Sequence, residues 1–390
     1  MTSPIMSTYA RLPVTFTRGQ GAWLWDQNDK RYLDALSGIA VCNLGHAHPR
    51  IHEAISKQSA QLLHTSNLYG IQAQQQLAGK LVEASAMDNV FFCNSGAEAN
   101  EAAIKIARLY GHGRNNARPQ ILVMEKSFHG RTLATLSATG NARIQQGFTP
   151  LLEGFVRVPF DNIPAIESTL QQHEDIVAIL VEPIQGEGGV IIPEQNYLNR
   201  LRCICDDNDL LLMLDEVQTG IGRTGRMFAY QHNAIVPDVC TLAKALGNGV
   251  PIGACLARGK AADIFTPGSH GSTFGGNPLA CSAALAVLET LEGDRLPAQA
   301  EEKGQAICSG LGQRLQDNTA IVDIRHKGMM LAIEMQQPCT ELVGKALEHG
   351  LLINVTAENT IRLLPPLVID QQQIDLLIET LATVIQEHSE

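Results

Sequence analysis

No stretch of this chain approaches the roughly 18 uninterrupted apolar residues of a membrane-spanning helix, so no membrane partner is expected. Basic charge is also scarce. Lys and Arg number 29 against 40 Asp and Glu, for a net charge of -11. A nucleic-acid surface needs clustered Lys and Arg to meet phosphates, so small molecules are the better partner class. Cysteine is present without pattern: Cys42, Cys93, Cys203, Cys205, Cys240, Cys255, Cys281, Cys308 and Cys339 form no C-x-x-C pair and no disulfide rhythm, as a reducing cytoplasm allows. Residues Met1 to Ser7 lack a basic segment followed by an apolar one, and a cytoplasmic protein is expected. No internal repeat or low-complexity segment stands out.

What the chain does have is 390 residues, 45% of them hydrophobic, enough for a large core and two or three domains. Between about residues 90 and 260, short apolar runs alternate with longer helical patterns. The runs include Val90–Cys93, Ile121–Met124, Val177–Val181 and Leu210–Leu214. This alternation predicts an α/β fold, a mostly parallel central sheet with helices on both faces. In such sheets ligands bind beyond the carboxyl ends of the strands. The positions to inspect are therefore Asn94 to Gly96, Glu125 to His129, Glu182, Asp215 and Lys244. The flanks differ: residues 22–33 predict a small hairpin, 49–64 a helix, 329–335 and 361–364 strands, and Ile374 to Ile385 a closing helix. The expected division is a large domain over 48–287 and a smaller one built from 1–47 and 288–390.

Lys244 lies after an apolar run and ahead of Gly247, Gly249 and Gly253. A lone lysine is most often a surface residue, but burial here would supply the unprotonated amine that forms an imine with a cofactor aldehyde. Asp215 ends a run that reads as a buried strand. Its ordinary role would be to pair with a distant Arg or cap a turn. Its functional one is to keep a pyridine nitrogen protonated, so that the ring draws electrons from a substrate carbanion. A buried carboxylate shifts such a group by about 2 to 5 pK units. After Cys93, the run Asn94 to Asn100 opens a helix with an Ala-rich face. Ser95 at such a start is commonly a plain N-cap; with Gly96 it also makes an anion site, since free N–H groups and the helix dipole point outward there.

Two motifs read as decoys. Gly220 to Gly225 matches G-x-G-x-x-G after a strand, but Asp215 to Gln218 intervene and no long helix follows, which makes a nicotinamide enzyme the weaker reading. Gly45 to Pro49 carries two histidines without a Cys or carboxylate cluster, and reads as a turn entering a helix rather than a metal site.

The segments Asn94 to Asn100, Ser127 to Thr132, Val181 to Gly189, Asp215 to Gly225, Ala243 to Gly253 and Gly271 to Pro278 together resemble the class III pyridoxal phosphate aminotransferases, in order, from about Thr15 to Leu367. The resemblance implies fold type I and pyridoxal 5′-phosphate as cofactor. It assigns Lys244 as the Schiff-base lysine, Asp215 as partner of the pyridine nitrogen, and Gln218 as a donor near the phenolic oxygen. Val217 and Phe128 would sandwich the ring, with Glu216 between Asp215 and Val217 also at the cofactor. Ser95, Gly96 and Ala97 would hold the phosphate; Ala97 stands where some relatives have Thr, so its contact there is by backbone. Thr273 would reach the phosphate in the neighbouring subunit, putting the site at a homodimer interface.

For substrates, the resemblance is greatest to members of the class that use N2-acetyl-L-ornithine and 2-oxoglutarate, giving N-acetyl-L-glutamate 5-semialdehyde and L-glutamate, a step arginine biosynthesis runs in reverse. Arg131 would hold the donor's α-carboxylate, with Ser272 nearby, and Arg362 the carboxylate of 2-oxoglutarate. Glu187 would be a gate pairing with Arg362 while the ω-amine reacts. Apart from the resemblance, Arg362 in the run 361–364 reads as an edge-strand Arg reaching solvent. Ornithine, succinylornithine or GABA remain alternative donors, and a non-catalytic cofactor-binding protein is the rival class. His129 and Gly188 favour the acetylated donor, because ornithine enzymes often carry Trp and Ala there.

Overall fold

The computed structural model describes residues 4–389. Its centre is a seven-stranded sheet in the order Asn89–Cys93, Gly253–Ala257, Val239–Leu242, Leu211–Asp215, Ile176–Val181, Gln120–Met124, Phe155–Val158. Ile176–Val181, Leu211–Asp215 and Val239–Leu242 are buried at every position, which is why their sequence is apolar without alternation. The four runs read from sequence are strands here to within a residue.

Gly253–Ala257 is antiparallel to both its neighbours, while the remaining pairs are parallel. All six parallel strands therefore end on one edge. The antiparallel strand is built from small residues, Gly-Ala-Cys-Leu-Ala, that give little periodic signal. Gly253 is required there: a Cβ would lie 2.3 Å from the Ser95 carbonyl oxygen.

Two four-stranded sheets flank this core. In one, Phe16–Gln20, Trp23–Asp26 and Arg31–Asp34 are joined by Leu351–Leu352, which runs parallel to Arg31–Asp34. The expected hairpin is its middle, its turn held by Asp26 Oδ1, which accepts from Asn28 N and Lys30 N at 2.8 and 3.0 Å. In the other, Ile321–Lys327, Met330–Met335, Thr360–Leu363 and Asn354–Thr356 are antiparallel neighbours. The final helix, Gln371–Ser389, buries Ile374, Leu377, Leu381 and Ile385 at helical spacing.

The glycine-rich decoy proves to be a joint. Arg223 within it is fully buried, donating to Met329 O at 2.9 Å, Pro365 O at 2.6 Å and the Asn43 side chain. It thus ties a loop of the large sheet to segments from both ends of the chain. Residues 46–49 lead into the helix Pro49–Ser59, and His46 Nε2 lies 2.7 Å from Asp34 Oδ2.

Candidate active site

A cavity of about 450 Å³ opens at the carboxyl edge of the large sheet, lined among others by Gly96, Phe128, Arg131, Asp215, Val217 and Lys244. Each lies at or shortly after the carboxyl end of a strand, where ligands bind in sheets of this kind.

Asp215, the last residue of its strand, is 4% exposed. Its Oδ1 accepts from Val217 N at 3.0 Å, and its Oδ2 from Asn100 Nδ2 and His129 Nδ1, both at 2.8 Å. Thr241 extends the network by donating to Asn100 Oδ1 at 2.7 Å. Three donors fix the carboxylate's orientation and leave room for a further N–H.

Lys244 follows the strand Val239–Leu242 in a short 3-10 turn and takes a φ of +43°. A lysine in the left-handed region costs about 1 to 3 kcal/mol unless its surroundings impose it; here the turn directs the chain into the cleft. Withdrawal from solvent, reinforced by the Arg362 guanidinium, lowers the amine to about 8, against the pull of Glu187, Asp215 and Glu182. Roughly a tenth of the amine is then unprotonated at pH 7.

Opposite, Ser95 caps the 18-residue helix Gly96–Gly113 by accepting from Glu98 N at 3.2 Å. The ordinary cap reading of Ser95 is therefore met, and the anion site beside it comes from the next N–H groups at Gly96 and Ala97, which line the cavity. A Cβ on Gly96 would sit 2.7 Å from Val217 Cγ1, so Val217 is pressed to the cavity wall by a bare backbone. These features fit pyridoxal 5′-phosphate: an amine of lowered basicity, a fixed carboxylate, a helix start and a slot between Val217 and Phe128. The Gly96→Ala substitution should push Val217 into the slot and weaken cofactor affinity about tenfold or more, measured by titrating apoprotein. Unchanged affinity would mean the slot is not the ring's seat.

Arg362 is fully buried on an inner strand, contrary to the edge-strand reading. Its Nη1 meets Glu187 Oε1 at 2.6 Å and Gln218 Oε1 at 3.4 Å, its Nε donates to Asn354 Oδ1 at 3.0 Å, and its Nη2 has no partner. Arg362 does not itself line the cavity but reaches it through Glu187 and Gln218, and its unused donor has the chemistry to take a second carboxylate. The Glu187 side chain is 36% exposed, so it can swing out; beside Arg362 its pKa is held below the usual range, although burial opposes this. Arg131 also lines the cavity and is exposed, its guanidinium carbon 5.7 Å from the centre of the Phe128 ring.

Three expected residues lie elsewhere. Ser272 and Thr273 line a second cavity of about 280 Å³, which shares Asn94 with the first. Asn94 Nδ2 donates to Ser272 Oγ at 3.1 Å, and Thr273 is exposed. Within one chain, neither lines the cavity that holds Lys244. The assignment of Glu216 to the cofactor is corrected: its carboxylate accepts from Ala229 N, Tyr230 N and Thr219 Oγ1 at 2.8 to 3.0 Å, away from the cavity. Successive residues leave a strand on opposite sides, so Asp215 facing the cleft turns Glu216 into the core. Burial raises it to about 7.

Sequence reasoning missed the roles of Asn100, His129, Thr241 and Glu182. Glu182 is fully withdrawn from solvent, raised to about 7 by burial, and accepts from Phe128 N and Gly186 N. Glu182 and His129 were legible as positions just past strand ends, and Asn100 as a polar residue among alanines on the inner face of its helix, but their bonds were not.

The family model for class-III aminotransferases matches residues 5–385. The acetylornithine aminotransferase of Nitrosomonas europaea is 55% identical over 383 residues, 98% of each chain. Among solved structures, the ornithine aminotransferase from Toxoplasma gondii superposes with a TM-score of 0.94 at 34% identity, covering 98% of this chain and 94% of that one. The acetylornithine aminotransferase from Elizabethkingia anophelis superposes at 0.88 with 36% identity, covering 98% and 96%.

Proposed function

The chain belongs to the class-III aminotransferases, and from that premise we propose that it moves the δ-amino group of N2-acetyl-L-ornithine to 2-oxoglutarate in two half-reactions at one cleft, as in arginine biosynthesis. The observation that carries this is Arg362, buried, bound to a displaceable Glu187 and holding one unused donor. One pocket thereby takes a donor whose reacting end bears no carboxylate, and an acceptor that has one.

When bound, pyridoxal phosphate supplies an aldehyde that takes up amines and a ring that accepts electrons. The chain supplies the rest. Asp215 would keep the proton on the ring nitrogen, and the backbone N–H groups of Gly96 and Ala97 would hold the phosphate. Phe128 and Val217 would hold the ring, and Gln218 would serve its phenolic oxygen. Lys244 Nζ would anchor the cofactor and, once freed, would act as general acid and base for the proton at the substrate carbon. Arg131 binds the donor's α-carboxylate while Glu187 covers Arg362. With 2-oxoglutarate, Glu187 swings away and Arg362 binds the carboxylate next to the reacting carbonyl.

A pH prediction follows from Lys244. Since its amine is lowered to about 8, the rate at which apoprotein links the cofactor covalently should rise with pH through a midpoint near 8. A midpoint near 10 would mean that Lys244 is not the withdrawn amine described.

The working unit is a homodimer. Leu63, Leu68, Tyr69 and Phe274 are exposed large side chains, and segment 64–69 adjoins 272–275 through Asn67 Nδ2, which donates to Ser272 O and Gly275 O at 3.0 Å. An apolar patch beside Thr273 supports a partner at that edge and Thr273 at the partner's phosphate. The nine cysteines are free, and no helix among the described residues is long and apolar enough to cross a membrane; both support a cytoplasmic setting. A panel of N2-acetylornithine, ornithine, succinylornithine and GABA at fixed 2-oxoglutarate tests the donor by kcat/KM. Higher kcat/KM for any of the other three would overturn the choice.

A further inference from the structure

We propose that His129 is a positioning residue that orients the Asp215 carboxylate toward the cofactor's ring nitrogen through its Nδ1 alone. This rests on Asp215 meeting that nitrogen.

Consider what the carboxylate has left to offer. It presents about four lone-pair directions. Three are taken, by Val217 N, Asn100 Nδ2 and His129 Nδ1. The remaining one suits a ring N–H. Both Asp215 oxygens already accept N–H bonds, from Val217 N and Asn100 Nδ2, which places the proton shared with His129 on Nδ1. The other ring nitrogen, Nε2, is buried with no partner, and an N–H there would lack an acceptor. A side chain with no exposure and one orphaned nitrogen is a poor choice for packing. What distinguishes it from an apolar residue of similar size is the Nδ1 donor.

The imidazole is also held so that this donor cannot drift. His129 N donates to Thr139 Oγ1 at 3.0 Å, and His129 O accepts from the same Asn100 Nδ2 that reaches Asp215. Asn100 is itself oriented by that carbonyl and by Thr241. His129 and Asn100 thus approach Asp215 Oδ2 from two elements and fix each other. Glu182, the neighbouring buried carboxylate, accepts from Phe128 N and Gly186 N, whereas the His129 ring bonds Asp215 through Nδ1 and leaves Nε2 without a partner.

Two substitutions separate position from packing. In His129→Asn the amide nitrogen falls where Nδ1 stands, whereas in His129→Gln it falls near Nε2. Apoprotein of each, with folding checked by thermal melt, is titrated with pyridoxal 5′-phosphate. In parallel, 15N spectra of histidine-labelled wild-type apoprotein, assigned through the variants, report which ring nitrogen carries the proton. Asn should retain affinity within a few-fold and Gln should lose about tenfold or more, as for a hydrogen bond to a charged group, with His129 protonated at Nδ1. A proton at Nε2 only, or equal loss in both variants, overturns the inference. If wild-type apoprotein takes up no cofactor, the aminotransferase reading fails instead, and the 15N spectrum still decides where the His129 proton lies.

Discussion

Lys244→Ala should lower turnover by at least about 10⁴-fold, the upper end of what one positioned acid and base contributes, because it removes anchor and proton carrier together. Cofactor binding should persist, since Asp215, Gly96, Ala97 and the Phe128 and Val217 walls are intact. The informative measurement is borohydride reduction followed by peptide mapping: wild-type protein retains cofactor on the peptide containing Lys244, and the variant retains none. Label on another lysine of the wild-type chain would remove Lys244 from the mechanism. Substitution also removes an amine whose burial at neutral pH opposes folding, so the variant apoprotein should be no less stable than wild type below pH 8. The sign follows from linkage: the folded pKa lies below the unfolded one, so the cost is full below about 8 and fades as pH rises toward the unfolded value.

Arg362→Ala should separate the two half-reactions. Removing one partner of a buried, hydrogen-bonded charge pair costs about 2 to 5 kcal/mol, a loss of roughly 30-fold to several thousandfold in the 2-oxoglutarate half. The N2-acetylornithine half needs Arg362 only as the resting place of Glu187 and should fall much less. Arg131→Ala should reverse the pattern. Single-turnover traces of each half for each variant give the four rate constants, and equal damage to both halves by each variant would contradict the division of labour. Glu187→Gln should leave Arg362 less firmly covered and raise competition by 2-oxoglutarate against the donor.

Much of this was readable in the chain, and the unreadable part has a physical cause. Runs such as 176–181 and 211–214 are legible because a strand buried on both faces has no polar alternation to hide it, and their carboxyl ends point to Glu182 and Asp215. The antiparallel Gly253–Ala257 carries small residues and glycine, which weaken any strand signal. Arg362 reads as an edge residue because composition does not reveal that Thr360–Leu363 has a neighbour on each side. His129 and Asn100 converge on Asp215, and Thr241 on Asn100, from separate elements, and one sequence carries no distances. Glu216 was avoidable: strand alternation alone says that two adjacent carboxylates cannot both face the cleft. Ser272 and Thr273 line a separate cavity of the same chain, and sequence order alone does not tell two neighbouring cavities apart.

The central claim is that one cleft, with Glu187 over Arg362, serves an ω-amine and a 2-oxo diacid in turn. It is tested most directly by following the visible band of cofactor-loaded protein. On adding N2-acetyl-L-ornithine without acceptor the band should bleach, and 2-oxoglutarate added after removal of excess donor should restore it with release of one equivalent of L-glutamate per site. A band that N2-acetyl-L-ornithine leaves unchanged, or that bleaches and is not restored by 2-oxoglutarate, would contradict the account.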